Sequence, residues 1–264
     1  MHGMVNIAVR AARQAGAIAL RHLNQLEALE VVEKGRNEFV SKVDQLAEEA
    51  IIEVIREYYP EHSILAEEGG QQGNHEYQWI IDPLDGTTNY LHGFPTFAVS
   101  IAVTHNGQLE HGVVYDPLRQ EIFTASRGQG AHLDGRRIRV SKRASMKQCL
   151  IATGFPYHSN MPLIDDYLGM LKAVIQESAG VRRPGSAALD LCYVAAGRVD
   201  GFWEIGLNVW DVAAGALIIR EAGGRISDYH GTEKFLDNGN IIAGNPKIYA
   251  ALSKLLAPYA HNLP

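Results

Sequence analysis

The sequence predicts a mixed α/β protein in which a helix-flanked antiparallel half precedes a more regularly alternating half. Three observations predict it. The first sixty residues hold two amphipathic helical patterns, residues 97–140 hold consecutive hairpin signals, and from about residue 150 strand-like and helix-like runs alternate. A soft boundary near 140–150 divides residues 1–145, helices plus an antiparallel sheet, from residues 146–264, an α/β half. The two form one compact unit with no linker composition between them.

The elements follow in order. Residues 4–30 carry Val5, Val9, Ala12, Leu23 and Leu26 at helical spacing. Val31 and Val32 suggest a short strand, after which "EKGRNEF" reads as an exposed loop containing Lys34. Asp44 opens a second helix, "DQLAEEAIIEVIREYY", as its N-cap, and Pro60 marks the stop. "SILAEEGG" reads as a strand ending in Glu67 and Glu68. "FAVSIAVTHNGQLEHGVVYDP" is two β-rich runs joined at Asn106-Gly107, and "EIFTASRGQGAHLDGRRIRV" repeats the pattern around Gly128 and Asp134-Gly135. Beyond residue 150, "SAALDLCYVAAG" and "DVAAGALIIREAGG" read as helices. Strands are expected near "VDGFWEI", "GRISD" and "NIIAGN".

Composition excludes several classes. Hydrophobic residues make up 46% and charged residues 20%, a globular profile. No run approaches the roughly 20 apolar residues of a membrane span. The opening "MHGMVNIAVRAARQAG" lacks a signal-peptide pattern, and Cys149 and Cys192 have neither metal nor redox spacing. A cytoplasmic protein with reduced thiols is the expectation. The net charge of -6 disfavours wholesale nucleic-acid wrapping.

The informative stretch is "WIIDPLDGTTNY", residues 79–90. A buried strand ends there in Asp82 and Asp85, two carboxylates that repel unless a cation sits between them. Acids recur where other apolar elements end: Glu67 and Glu68 after "SILA", Asp211 before an apolar helix, and Asp44 before another. Each alone reads as a cap or a solvated edge. Carboxylates together, without His or Cys partners, select hard cations such as Mg²⁺, Mn²⁺ or Ca²⁺. Pro83 stiffens the turn so that the Leu84 carbonyl points at the same cation, Gly86 permits close approach, and Thr87 and Thr88 begin a helix whose N–H groups suit a phosphate. Spacing excludes an EF-hand loop, and Asp-x-x-Asp-Gly-Thr differs by one residue from the Asp-x-Asp-Gly-Thr of aspartyl-phosphate phosphatases. "GVRRPGS" has Ser186 where a nucleotide P-loop has lysine. The histidines, His92 beside the motif among them, show no ligand spacing.

"LAEEGG", "WIIDPLDGTTNYLHGFPTFAVSIAV" and "WDVAAGALIIREAGG" resemble, in this order, the three signature regions of the inositol monophosphatase family. The likeness runs through "FVSKVDQLAEEAI", "RGQGA", "RRPGSAALDLCYVAAGRVDGFWEIGL" and "GNIIAGNP", and is greatest to the bacterial SuhB-type members. It implies a layered αβαβα sandwich of the sugar-phosphatase type, a homodimer, and Mg²⁺-dependent hydrolysis of phosphate monoesters with two or three ions per site. Mn²⁺ is a possible substitute, and lithium sensitivity is an expectation of the family alone. By the same resemblance Glu67, Asp82, the Leu84 carbonyl, Asp85 and Asp211 hold the metal. Asp44 and Thr87 orient and help deprotonate the attacking water, with Glu67 on the same metal. Leu84, Asp85, Gly86 and Thr87 meet the phosphate. Gly185, Ser186, Ala187, Glu204 and Asp211 line the polyol side, with Arg182 or Arg183 nearby. Lys34 lies in a loop that is mobile in the family.

Inositol 1-phosphate leads as substrate, because Glu204 suits a polyhydroxylated molecule and no nucleotide-specific insertion is visible. Related sugar or bisphosphate substrates are the alternative. SuhB-type proteins are also associated with ribosomal-RNA transcription antitermination, which makes antitermination factors or RNA candidate partners. "RRIRVSKRASMK", residues 136–147, holds six cations and no acid, although such runs are more often solvated faces.

Overall fold

Helix α1 (Gly3–His22) forms because Val5, Ala8, Ala12, Ala15 and Ala19 fall on one face and are buried there. Helix α2 (Lys42–Tyr58) buries Val43, Ala47, Ile51, Val54 and Ile55 in the same manner. The computed structural model describes residues 2–23, 31–35, 38–156, 158–261 and 263. Residues 24–30, part of the first predicted helix, lie outside the described residues. Two expectations need correction here. The predicted loop around Lys34 is a hairpin of β1 (Val31–Gly35) and β2 (Glu38–Ser41), held by pairs such as Val32↔Val40; the Lys34 side chain lies outside the described residues. Asp44 is not the N-cap of α2 but lies within its first turn.

Eight strands make the larger sheet: β3 (Ser63–Ala66), β4 (Gly70–Gln72), β5 (Tyr77–Asp85), β6 (Ala98–His105), β7 (Gln108–Asp116), β8 (Glu121–Ser126), β9 (Gly130–Leu133) and β10 (Arg136–Arg137). Their order is β10-β9-β8-β7-β6-β5-β3-β4. The predicted turns are present. Asn106 and Gly107 take φ of 50° and 77°, and Asp134 and Gly135 take 49° and 77°, the left-handed pairs that a tight hairpin requires. One pair departs from the antiparallel rule: β3 runs parallel to β5, with Ala66 opposite Ile81. The chain leaving β3 at Glu67 therefore emerges beside Asp82.

A smaller sheet has the order β12-β11-β13-β15-β14, from β11 (Leu150–Thr153), β12 (Gly180–Arg182), β13 (Gly201–Glu204), β14 (Arg225–Ser227) and β15 (Ile241–Gly244). The chain also forms the short helices α3 (Thr87–Leu91) and α7 (Phe235–Asn238), while α5 (Ala187–Ala195) and α6 (Val209–Glu221) lie between the sheets. Strand alternation sorts the larger sheet's side chains. Trp79, Ile81, Val99, Ile101 and Val113 pack with α1 and α2, whereas Ile80, Ala98, Ala102 and Val114 pack with α5 and α6. The outer face of the smaller sheet is covered by α4 (Ile164–Glu177) and α8 (Pro246–Leu256), which the sequence reading did not resolve, around Trp203, Tyr167, Met170 and Leu252. The result is the expected αβαβα stack. Each fully buried Trp or Phe in it contributes on the order of 2–3 kcal/mol.

Candidate metal centre

The end of β5 departs from regular pleating. Asp82 pairs with Ser100 and Asp85 with Ala98, so three steps along β5 match two along β6. One extra residue is inserted, and Pro83, with no N–H to donate, sits where the ladder is interrupted. In an unbroken strand residues 82 and 85 would face opposite sides. The bulge turns both toward α5 and α6, while Leu84 packs on the other side with Ala19, Val43, Tyr90 and Phe97. Asp82 Oδ1 accepts the Leu84 N–H at 2.8 Å, which closes the turn. Gly86 follows with φ of 97°, and a Cβ there would come within 3.0 Å of Thr96 O and 3.1 Å of Gly185 O.

Helix α6 brings the third acid. Asn208 is its N-cap and Asp211 its third residue, so the expectation that Asp211 opens the helix is corrected by three positions. Asp211 Oδ2 accepts the Asn208 N–H at 2.7 Å. The β6–α6 contact is fixed by Ser100 Oγ donating to Trp210 O at 3.1 Å. Asp82, Asp85 and Asp211 thereby place carboxylate oxygens within 4.8 Å of one another. Glu67, its N–H on Ile81 O at 3.2 Å, stands close enough to act on Asp82 electrostatically but outside this trio. Asp44, 1% exposed, approaches from α2, with Thr87 Oγ1 lying 3.0 Å from both Asp44 Oδ1 and Leu84 O.

The electrostatics demand a partner. Burial, reinforced by Glu67, Asp85 and Asp211, pushes Asp82 well above the usual carboxylate range. Burial pushes Asp85 to about 6 despite opposing bonds from Ser186 Oγ and the Ala188 and Ala187 N–H groups. Asp211 rises to about 8 through burial and then Asp85. The charged neighbours acting on Asp82 are all acids, so the donor set is all oxygen and anionic, with no protein cation acting on it among the described residues. That set fits a hard divalent ion.

The residues expected on the substrate side differ in what they contact. Ser186 is buried and its Oγ donates to Asp85 Oδ2 at 2.5 Å, with the Ala188 N–H on the same oxygen at 2.8 Å, so the hydroxyl orients an acid. Glu204, at the end of β13, is 8% exposed and pushed up to about 8 by burial, with Arg183 opposing the shift. A Cβ on Gly154 would overlap its carboxylate. Gly185 and Ala187 flank Ser186 as expected. Arg182 is exposed, its Nη1 on Val181 O at 2.9 Å, whereas Arg183 lies over the Phe155 ring at 5.0 Å and acts on Glu204.

Sequence reasoning missed three residues. Asn89, inside the "GTTN" motif, donates its Nδ2 to Thr96 O and Pro184 O, both at 2.8 Å, and approaches Gly185 O at 3.1 Å, which ties the motif to the loop before α5. Asp190 is buried near Glu204 and Asp85, and its Oδ1 has no hydrogen-bond partner among the described residues. Glu48 accepts the Glu68 and Gly69 N–H groups. Of the three, only Asn89 carried a signal, as part of a specific motif.

Residues 1–263 match the Inositol monophosphatase family. The chain is 52% identical over 264 residues to the Nus factor SuhB of Pseudomonas aeruginosa, with 98% of this chain and 97% of that protein covered. The crystal structure of the extragenic suppressor protein suhB from Bartonella henselae superposes with a TM-score of 0.94 at 45% identity, covering 97% of this chain and 98% of that one. An inositol monophosphatase from Anabaena (Nostoc) sp. gives 0.83 at 40%, with 99% and 96% covered. With the whole-chain family match and the αβαβα stack in agreement, the chain belongs to the inositol monophosphatase family.

Proposed function

We propose that the protein is a phosphate monoesterase dependent on Mg²⁺, with Mn²⁺ as substitute, and that its leading substrate is myo-inositol 1-phosphate among sugar and polyol phosphates. The carrying observation is the convergence of Asp82, Asp85 and Asp211 within 4.8 Å, with Thr87 bridging Asp44 and the Leu84 carbonyl beside them. Asp82, Asp85, Asp211, Glu67 and the Leu84 carbonyl would hold the ions. A bound divalent cation lowers the pKa of a water and neutralises charge on phosphoryl and leaving oxygens. Thr87, donating to Asp44, accepts a hydrogen bond from the attacking water, and the pair draws off its proton. The Gly86 and Thr87 N–H groups receive phosphoryl oxygens. Water oxygen bonds to phosphorus in line, the ester P–O bond breaks, and the polyol leaves as its alkoxide takes a proton. Glu204, Arg183 and Asp211 meet polyol hydroxyls, while Gly185 and Ala187 shape that wall. A homodimer belongs to the same reading, supported by Leu168 and Ile175, exposed seven residues apart on one face of α4.

Phosphate release from D-myo-inositol 1-phosphate with Mg²⁺ tests the reading in wild type and Asp82→Asn, which nearly keeps shape and removes one ligand charge. Wild-type turnover that falls at least about 100-fold in the folded variant is the expected outcome. Equal activities would sink the role of Asp82.

A second reading, a binding partner in RNA transcription, is favoured by 52% identity to a protein named Nus factor SuhB. The basic run serves partly inside the fold: Arg139 Nη1 donates to Glu221 O at 3.1 Å and Arg143 Nη1 to Asp200 Oδ1 at 3.1 Å. Arg136, Lys142 and Lys147 remain exposed. RNA retention that is lost in Arg136→Glu/Lys142→Glu, and weakens steeply between about 50 and 200 mM salt, is the outcome this reading expects; retention unchanged by both would remove the run from it.

A further inference from the structure

Helix α2 carries two buried carboxylates one turn apart, Asp44 at 1% and Glu48 at 5% exposure. Asp44 meets Thr87. Glu48 accepts backbone hydrogen bonds through both oxygens, Oε2 from Glu68 N–H at 2.8 Å and Oε1 from Gly69 N–H at 2.7 Å. The preceding N–H, that of Glu67, donates to Ile81 O at 3.2 Å on β5. Three consecutive N–H groups after β3 are therefore fixed, the first by the strand that ends in Asp82 and the next two by α2.

Successive N–H groups of a turn make a concavity suited to an anion. Here the anion is a side chain of the same chain. Its approach is close enough that a Cβ on Gly69 would stand 2.8 Å from Glu48 Oε1. A carboxylate satisfies both donors at once, whereas an amide offers one acceptor and turns its own N–H₂ toward the other donor, leaving it unpaired. The backbone so clamped is the one that carries Glu67, and Glu67 acts on Asp82 across the parallel β3–β5 pair.

We infer that Glu48 is a positioning residue of the cation centre: by clamping Glu68 and Gly69 it sets where Glu67 stands against Asp82, and so sets the affinity for the divalent ion. The inference rests on the proposed reading only in taking Glu67 as a cation ligand. A carboxylate that merely staples a turn would stabilise the fold without touching ion affinity, and that difference is measurable.

The test is Mn²⁺ binding to the full chain without substrate, followed by calorimetry and by loss of the free-Mn²⁺ paramagnetic resonance signal, with Asp82→Asn marking the site. Glu48→Gln removes one acceptor, and Gly69→Ala crowds the same contact while keeping the carboxylate, so a folding failure in the first leaves the second to decide. Both are expected to weaken Mn²⁺ binding by about 10–100-fold. In turnover, the Mg²⁺ requirement rises by a similar factor, while KM for myo-inositol 1-phosphate at saturating Mg²⁺ stays within about twofold. Variants with the wild-type Mn²⁺ isotherm and only a lower melting temperature would overturn the inference. A wild type that binds Mn²⁺ through Asp82 yet releases no phosphate would sink the phosphatase reading and leave the role of Glu48 standing. A wild type that binds no Mn²⁺ would overturn both.

Discussion

Ser186, expected on the polyol side, and Asn89, which sequence reasoning missed, both spend their polar groups on the protein. Ser186 Oγ and the Ala188 N–H share Asp85 Oδ2. Asn89 Nδ2 holds the 184–185 carbonyls beside the motif. A bond from hydroxyl to carboxylate is worth about 1.5–3 kcal/mol. Ser186→Ala is therefore expected to lose stability of that order in urea melts at pH 8 with chelator, where Asp85, at about 6, is charged. A loss confined to pH below 5 would place the bond elsewhere. At this scale the sequence told residue types well and partners poorly. Asp82 and Asp85 were legible because two acids closing an apolar strand repel one another when charged, and a cation between them relieves that repulsion. Glu48 was not, because its partners are backbone N–H groups twenty residues away, which leave no pattern.

Among the elements, β5 decides the most, and its bulge depends on one residue. With the register shift between Asp82 and Asp85, both acids face α6. Inserting one residue into β6 between Val99 and Ser100 matches the extra residue of β5, restores strict alternation along residues 82–85 and turns Asp85 toward α1 and α2. Loss of Mg²⁺ binding by calorimetry, with sheet circular dichroism retained, is the expected result; retained binding would mean the bulge is not what aims Asp85. Hairpins were the most legible elements, because Asn106-Gly107 and Asp134-Gly135 supply positive φ at both turn positions. The β1–β2 hairpin was not, since "KGRN" is as polar as any loop and its pairing rests on strand partners such as Val31↔Ser41. The start of α6 was misplaced by three residues because Asp211 and Asn208 are both good capping residues, and their reciprocal bonds make one motif of the two.

For the molecule as a whole, the acid centre links folding to pH and to the ion. Asp85 at about 6 and Asp211 at about 8 lie above their ordinary value of 3.8, so the fold favours their protonated forms. That stabilisation is complete below about pH 4 and is lost as pH rises through about 6 and then 8. Ion binding requires the charged forms and expels the protons. The melting-temperature gain on adding Mg²⁺ to chelated protein is therefore expected to be small at pH 5 and large at pH 8. A gain independent of pH would contradict the arrangement. The layered order was legible only through resemblance, because local periodicity does not say which face of a sheet a helix covers.

The acids of the centre are spread from residue 44 on α2 to residue 211 on α6. A ribosome delivers Asp82 and Asp85 well over a hundred residues before Asp211, several seconds or more at about 5–20 residues per second. Throughout that interval the nascent chain carries two close negative charges without the third acid that completes their cage. The acid centre is among the last features of the native state to become possible, and no fragment ending before α6 can assemble it.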